Sequence, residues 1–141
     1  MGAVATHLID TSAHARMRHD VVAAVLMPLI EGGMVGSCAP LDFEDLYSAR
    51  TPAEYWLISN IRRNAYEHLP VNDAEWRRAL EVQATLAAQS RLREVGMADL
   101  LIAAVAERHG LTLLHYDGDF DTIAEITGQD ARWVVPRGQT P

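Results

Sequence analysis

Short apolar runs alternate with longer helical patterns along this chain. Apolar runs at 6–10, 34–39, 111–116 and 132–135 have the length of buried strands. Between them, apolar residues recur at the three- and four-residue spacing of amphipathic helices. Strands that alternate with helices are typical of a parallel sheet with helices on both faces. The pattern therefore predicts an α/β fold, a three-layer α/β/α sandwich around a central parallel sheet of four to five strands.

Capping residues and prolines predict where several helices begin or end. Thr-Pro-Ala-Glu at 51–54 and Asn-Asp-Ala-Glu at 72–75 each place a glutamate three positions after a capping residue. Pro28 lies inside a helical pattern, which predicts either a kink or the true start of that helix. Pro40 predicts the end of the second strand, with a helix following over 41–49.

Composition excludes several classes of protein. The chain has 141 residues, 49% of them hydrophobic and 22% charged, which is typical of a globular domain. No uninterrupted apolar stretch reaches about 18 residues, so we expect no membrane span. The single cysteine, Cys38, excludes intramolecular disulfides and thiolate zinc clusters, and favours a reducing cytoplasm. No repeat or linker divides the chain, so we expect one domain over residues 1–141.

The charge balance is acidic, with 12 basic residues against 19 acidic ones and a formal net charge of −7. All basic residues are arginines. Phosphate contacts dominate the affinity of proteins for nucleic acids, so an acidic protein is not an obvious nucleic-acid binder. Clustered arginines, or a metal ion held by carboxylates, can reverse this locally. Net charge alone therefore leaves a nucleic-acid substrate open.

Four acidic residues from separate segments are expected at one edge of the sheet. Asp10 and Asp117 directly follow predicted strands, Glu44 lies on the helix after the second strand, and Asp99 begins a nearly wholly apolar helix. Ligands of open parallel sheets bind beyond the carboxyl ends of the strands. Each residue alone has an ordinary alternative: a helix cap for Asp10 and Asp99, a turn for Asp117, a solvated face for Glu44.

The four carboxylates together indicate a metal site. Like charges repel and raise one another's pKa values unless a cation joins them. Oxygen ligands suit Mg²⁺ or Mn²⁺. Such a cation lowers the pKa of a bound water and stabilises charge on a phosphoryl group. The residues therefore predict metal-dependent phosphodiester hydrolysis by attack of hydroxide on phosphorus. The sequence has no lysine for a Walker motif, no G-x-S-x-G and no H-E-x-x-H.

Four blocks of this sequence resemble the PIN-domain toxins of VapBC toxin–antitoxin systems. The blocks are Leu8-Ile9-Asp10-Thr11-Ser12-Ala13, Glu44 ahead of Leu46-Tyr47-Ser48-Ala49-Arg50, Asp99-Leu100-Leu101-Ile102-Ala103-Ala104, and His115-Tyr116-Asp117-Gly118-Asp119-Phe120-Asp121. Their order and spacing match over residues 7–137, which is more specific than any single block. The arginine bias resembles that of actinobacterial, including mycobacterial, members.

This resemblance implies the toxin of a type II toxin–antitoxin system, with a PIN-like α/β/α fold. The implied activity is a Mg²⁺- or Mn²⁺-dependent endoribonuclease that cleaves structured RNA, either tRNA or rRNA. By position, Asp10, Glu44, Asp99 and Asp117 match the catalytic quartet, with Asp10, Asp99 and Asp117 as metal ligands. Glu44 and Asp119 would complete the metal site, directly or through water. The implied partners are a VapB-type antitoxin, the RNA, and a second copy in a homodimer.

Two positions depart from the family pattern. Asp45 stands where an apolar residue is usual, and either adds a charge near the metal or points to solvent. Gly118 stands where a larger or charged residue is common. Four arginines near the acidic blocks are candidates to hold the RNA backbone, with a solvated surface as the equal alternative: Arg16, Arg18, Arg91 and Arg93.

Two other functions fit the same residues. One is a different metal-dependent nuclease or phosphatase, which competition between RNA and DNA substrates would separate from a ribonuclease. The other is a catalytically silent PIN-like binding module, which the intact acidic quartet disfavours. The helical segment around Tyr55, Trp56 and Ile58 is a candidate partner or dimer surface, although ordinary core packing explains these residues equally well.

Overall fold

The structure, a computed structural model, describes residues 4–141. Five strands and seven helices alternate along this part of the chain. In chain order they are β1 (His7–Ile9), α1 (Thr11–His14), α2 (Asp20–Glu31), β2 (Val35–Ser37), α3 (Ala39–Leu46), α4 (Pro52–Ala65), β3 (Glu67–His68), α5 (Asp73–Ala88), α6 (Met97–His109), β4 (Thr112–His115), α7 (Asp119–Thr127) and β5 (Ala131–Trp133).

The five strands form one parallel sheet in the order β3-β2-β1-β4-β5. Neighbouring residues of a strand point to opposite faces of a sheet. Leu8 and Leu113 accordingly pack into an apolar cluster with α5, α6 and α7, whereas Ile9 and Leu114 pack into another with α1 and α2. The sheet therefore lies between two helical layers, which confirms the predicted α/β/α architecture.

Helix α6 is the most deeply buried helix of the sandwich. Seven consecutive residues, Leu100 to Ala106, are buried on all sides. Gly110 ends the helix in the left-handed conformation, with φ of 64°, which glycine adopts at low cost. The predicted apolar helix is thus confirmed, and its rigid packing fixes Asp99 in its first turn.

The predicted cap of α4 is also present. The Thr51 hydroxyl accepts a hydrogen bond from the Glu54 N–H at 3.1 Å, with Pro52 at the first helical position. At the start of α5, the Glu75 carboxylate accepts from the Asn72 N–H at 2.8 Å. Local sequence therefore determined both of these helix starts.

One predicted boundary was wrong, one of the two alternatives for Pro28 is excluded, and one strand was not predicted. Pro40 does not end a strand but lies in the first turn of α3, where its missing N–H costs no intrahelical bond, so the helix expected over 41–49 begins at Ala39. Pro28 is not a helix start, because α2 already begins at Asp20. Strand β3 was not predicted at all.

Candidate active site

Two acidic residues lie at the carboxyl edge of the sheet because their strands are parallel neighbours. Asp10 directly follows β1, and Asp117 comes two residues after β4. Strand β1 pairs with β4 through Ile9 and Leu114, and the Asp10 N–H donates to the Leu114 carbonyl at 2.9 Å. The sheet itself therefore brings together residues that are more than a hundred positions apart.

Asp10 is buried and held by the start of α1. Its Oδ2 accepts hydrogen bonds from the Ser12 N–H at 2.9 Å and the Ser12 hydroxyl at 2.6 Å. The Ser12 hydroxyl in turn accepts from the Tyr116 N–H at 2.9 Å. The other oxygen, Oδ1, is buried without a hydrogen-bond partner among the described residues. Asp10 is thus an N-cap as well as a candidate ligand, with one oxygen used by the fold and one free.

Three further carboxylates form a close group. One oxygen from each of Asp99, Asp117 and Asp119 lies within 4.8 Å of the other two, and all three side chains are half-buried. The Asp119 N–H donates to Asp117 Oδ1 at 2.9 Å, which fixes the turn between β4 and α7. Asp119 was expected only to complete the metal site, directly or through water, whereas the structure places it within this close group. Asp10 and Glu44 lie outside the group.

The electrostatics of the site follow from this crowding. Burial, followed by the charges of Asp10, Asp117, Asp119 and Glu44, raises the pKa of Asp99 to about 7. Burial and the charge of Asp117 likewise raise the pKa of Asp119. Within residues 4–141, none of these five carboxylates forms an ion pair with an arginine. The fold therefore concentrates negative charge without neutralising it.

Glu44 approaches the site from α3. Its Oε1 accepts a hydrogen bond from the Thr11 hydroxyl at 3.0 Å, which ties α3 to the segment that carries Asp10. Burial raises the pKa of Glu44, the Thr11 bond lowers it, and the charge of Asp10 raises it again. Glu44 therefore belongs to the same electrostatic unit as Asp10 and Asp99, although its side chain is the most exposed of the quartet.

Asp45 lies in neither of the two places expected for it. Its Oδ2 accepts a hydrogen bond from Arg62 Nη1 at 2.9 Å, and Arg62 Nε donates to Asp42 Oδ1 at 2.6 Å. The remaining nitrogen of Arg62, Nη2, donates to the Ser37 hydroxyl at 2.7 Å. Asp45 thus belongs to a separate ion-paired cluster on the other side of α3, in which two carboxylates share one arginine.

The backbone at Gly118 does not require glycine. Its φ of −61° and ψ of −15° are helical values that any residue adopts. Position 118 could therefore carry a side chain, as is common in the family pattern, without strain in the turn. The effect of glycine at position 118 is therefore the space that it leaves open, and not a backbone conformation that other residues avoid.

The donor set of the acidic site fits a hard divalent cation. Every candidate ligand is a carboxylate oxygen, which Mg²⁺ and Mn²⁺ prefer. The buried, unpartnered Oδ1 of Asp10 is a second indication, since a buried carboxylate oxygen ordinarily has a partner. The raised pKa of Asp99 is a third, since burial is the largest cause of the rise and the charges of the neighbouring carboxylates, which a bound cation would offset, add to it.

The candidate RNA-binding arginines differ in their surroundings. Arg91 is engaged by Glu94 at 2.8 Å and by Glu125 at 3.2 Å, so its charge is neutralised. Arg16 stacks on the ring of Tyr116 instead. Arg18 and Arg93 are exposed. Across the described residues, no helix has the length and apolar character needed to cross a membrane.

The comparisons with known proteins agree with this geometry. The chain is 41% identical over 132 residues to Ribonuclease VapC21 of Mycobacterium tuberculosis, covering 94% of this chain and 96% of that protein. It is 42% identical over 132 residues to Ribonuclease VapC51 of the same species, covering 94% and 95% respectively.

Solved structures share the fold. The VapBC complex of Salmonella typhimurium, solved with bound DNA, superposes with a TM-score of 0.75 at 15% identity, over 93% of this chain and 99% of that chain. VapBC-5 of Mycobacterium tuberculosis superposes with a TM-score of 0.58 at 23% identity, over 91% and 97%. The sequence pattern of the PIN domain matches residues 8–126, and the chain belongs to the PIN domain family.

Proposed function

We propose that this protein is the toxin of a toxin–antitoxin pair and acts as a divalent-metal-dependent endoribonuclease on structured RNA, either tRNA or rRNA. The observation that carries the proposal is the un-neutralised group of Asp99, Asp117 and Asp119 beside the free oxygen of Asp10. The names of the relatives, which are ribonucleases at 41–42% identity, support RNA as the substrate class.

In this proposal Asp10, Asp99 and Asp117 hold the cation, with Mg²⁺ as the physiological ion and Mn²⁺ as a substitute. When bound, the cation supplies charge stabilisation to the phosphoryl oxygens and acidifies water. Asp119 and Glu44 complete the site, directly or through water. Ser12 orients Asp10 for this role. Its N–H and hydroxyl both donate hydrogen bonds to Asp10 Oδ2, which leaves Oδ1 free.

The hydrolysis itself forms a bond from a water oxygen to phosphorus and breaks the bond from phosphorus to O3′. Oε2 of Glu44 takes the proton of the attacking water, since Oε1 is already engaged by Thr11. The raised pKa of Glu44 makes this carboxylate a better base than an ordinary glutamate. The leaving O3′ takes a proton from solvent water, so the products carry a 5′-phosphate and a 3′-hydroxyl, and Glu44 releases its proton to solvent.

We propose a VapB-type antitoxin as the partner of this chain, because the structural neighbours include VapBC complexes.

We also propose a homodimer in the cytoplasm, built from one domain per chain. Helix α4 supports a protein contact, since its Tyr55, Trp56 and Leu57 side chains are all exposed. Sedimentation of wild type beside Trp56→Glu tests the dimer, and an unchanged mass would contradict this surface.

The experiment that tests the activity is cleavage of total cellular RNA by the purified protein. Parallel reactions contain Mg²⁺, Mn²⁺ or EDTA, with a DNA substrate in a further reaction. Discrete fragments that require metal, with 5′-phosphate ends, support the proposal. Equal cleavage of DNA would favour a general nuclease. Absence of both cleavage and metal binding would favour a silent binding module.

A further inference from the structure

Two adjoining aromatic rings with an arginine at each end lie near the acidic site. The guanidinium carbon of Arg16 lies 4.1 Å from the ring centre of Tyr116. The Tyr116 ring meets Trp133 edge to face, with centres 5.2 Å apart. The guanidinium carbon of Arg137 lies 5.4 Å from the ring centre of Trp133. These distances are in the range of cation–π contacts. We call these four residues the arginine–aromatic ladder.

Both ends of the ladder adjoin the candidate ligands. Arg16 Nη1 donates to the Ser12 carbonyl at 2.6 Å, and Ser12 holds Asp10. At the other end, a methyl group at position 118 would lie 3.8 Å from Arg137 Nη1. That distance is an ordinary van der Waals contact, so Arg137 lies next to position 118, which separates Asp117 from Asp119 along the chain.

Neither arginine of the ladder forms an ion pair with a carboxylate side chain within residues 4–141. Six other arginines do, namely Arg62, Arg77, Arg78, Arg91, Arg108 and Arg132. Arg16 donates from Nε to the Pro141 carbonyl at 3.1 Å and from Nη1 to the Ser12 carbonyl. Its Nη2 makes no hydrogen bond within the described residues, so this nitrogen is available to a ligand.

Tyr116 connects the parts of the ladder. Its hydroxyl accepts hydrogen bonds from the N–H groups of Gly138 at 2.7 Å and Thr140 at 3.2 Å, and donates to the Thr140 carbonyl at 3.0 Å. The segment held in this way carries Arg137. The ring of Tyr116 therefore positions Arg16, whereas its hydroxyl positions Arg137.

We propose that the arginine–aromatic ladder is the surface along which the RNA strand lies as it enters or leaves the acidic site. The guanidinium groups of Arg16 and Arg137 bind two backbone phosphates, one on either side of the carboxylates. The ladder supplies a positive surface where an acidic protein needs one, because a polyanion must approach five carboxylates. This inference rests on the proposed function and names the residues that position its substrate.

The test measures binding separately from cleavage. A fluorescently labelled single-stranded RNA oligonucleotide of mixed sequence is titrated in EDTA at several salt concentrations, and anisotropy gives the dissociation constant. For single strands, each phosphate contact contributes about 0.7 to the slope of log K against log salt. Arg16→Ala and Arg137→Ala should each weaken binding and lower this slope by about 0.7. Arg77→Ala removes the same charge from an ion pair on α5 and should leave the slope unchanged.

Conservative variants distinguish charge from packing. Arg16→Lys and Arg137→Lys should restore the slope of wild type. Tyr116→Phe keeps the ring but loses the hydroxyl, so it should reproduce the Arg137→Ala defect and add little to it in the double variant. Equal slopes for wild type and both alanine variants would overturn the proposal, as would absence of RNA binding by wild type.

Two further outcomes separate this inference from the proposed function. Metal-dependent RNA cleavage together with unchanged binding by the arginine variants would contradict the role of the ladder and leave the proposed ribonuclease activity in place. Arginine-dependent binding without cleavage under any condition would contradict the ribonuclease activity and leave the role of the ladder in place. A poly-glutamate peptide that binds as tightly as RNA, with the same arginine dependence, would mark a general anion surface and contradict an RNA-specific one.

Discussion

Helix α3 separates two acidic clusters that differ in whether an arginine pairs with their carboxylates. On one side, Asp42 and Asp45 are paired with the buried guanidinium of Arg62, whose pKa is raised by both partners. On the other side, Glu44 faces the acidic site. None of the five carboxylates there has an arginine partner among the described residues. Acidic density alone therefore does not mark a metal site. The acidic site differs from the other cluster because none of its carboxylates forms an ion pair with an arginine within residues 4–141.

The largest expected effect comes from removing one charge from each cluster. Asp99→Asn should lower RNA cleavage by about 10³-fold, which corresponds to roughly 4 kcal/mol of lost charge stabilisation. Asp45→Asn removes a similar charge from the ion-paired cluster of Asp42, Asp45 and Arg62, and should leave cleavage within about twofold of wild type. The measurement is the initial rate on a fixed RNA in Mg²⁺. Similar losses in both variants would show that the two clusters are not functionally distinct.

A second change removes the cation of the ion-paired cluster. Arg62→Met leaves Asp42 and Asp45 partly buried without an ion-pair partner, and should lower the free energy of unfolding by about 3 kcal/mol. Urea denaturation measures this loss. The control, Arg77→Met, breaks an exposed pair and should change stability by less than about 0.5 kcal/mol. Adding Asp42→Asn to Arg62→Met should recover part of the loss, and no recovery would contradict the electrostatic cause.

Added Mg²⁺ should stabilise the folded protein by binding at the acidic site, and not at the ion-paired cluster of Asp42, Asp45 and Arg62. At a Mg²⁺ concentration of 100 times the dissociation constant, wild type should gain about 2.7 kcal/mol in the free energy of unfolding. Asp99→Asn should gain far less at the same concentration, whereas Asp45→Asn should gain as much as wild type. Thermal unfolding with and without Mg²⁺ measures these gains. An equal gain in all three proteins would place the cation elsewhere.

The smallest expected effect is a pH dependence of the metal-free protein. The pKa of Asp99 is about 7 in the folded chain, above its ordinary 3.8, so the unfolded chain loses this proton first. The contribution of Asp99 to stability is therefore lost as pH rises from about 4 to 7. Relative to wild type, Asp99→Asn should gain about 1–2 kcal/mol over this range, a value reduced for the partial exposure of the site.

Urea denaturation in EDTA at pH 5, 6, 7 and 8 measures the pH effect as a difference between the two proteins. Subtracting the variant from wild type cancels the titration of the other carboxylates that the substitution does not perturb. A difference that stays constant across this range would show that Asp99 titrates normally in the folded chain.

Much of the site was predictable because its ligands follow regular elements. Asp10 and Asp117 end parallel strands, and Asp99 begins an apolar helix, so the topology alone places them at one edge. Their roles as ligands remain predictions. The grouping of Asp119 with Asp99 was harder to predict, because it depends on the turn that Asp117 forms with the Asp119 N–H. Sequence spacing does not report the direction of a side chain in such a turn.

Features formed by distant residues could not be predicted. The partner of Asp45 is Arg62, and neither position carries a local signal for the pair. Strand β3 has only two residues and pairs at one edge of the sheet, so it shows no alternation of apolar and polar positions. The position of Arg137 beside Gly118 depends on the terminal segment folding back onto Tyr116. Each of these features comes from tertiary packing.

The order of the five acidic residues along the chain has a consequence for protein synthesis. Asp10 is made early, but Asp117 and Asp119 are made late, and strand β5, which flanks β4, later still. The ribosome adds about 5–20 residues per second, and a nascent domain can complete its sheet only when its last strand has emerged. A growing chain therefore has no complete set of these carboxylates before Asp119 has been made. The acidic site forms only once segments that are made at different times have paired in the sheet.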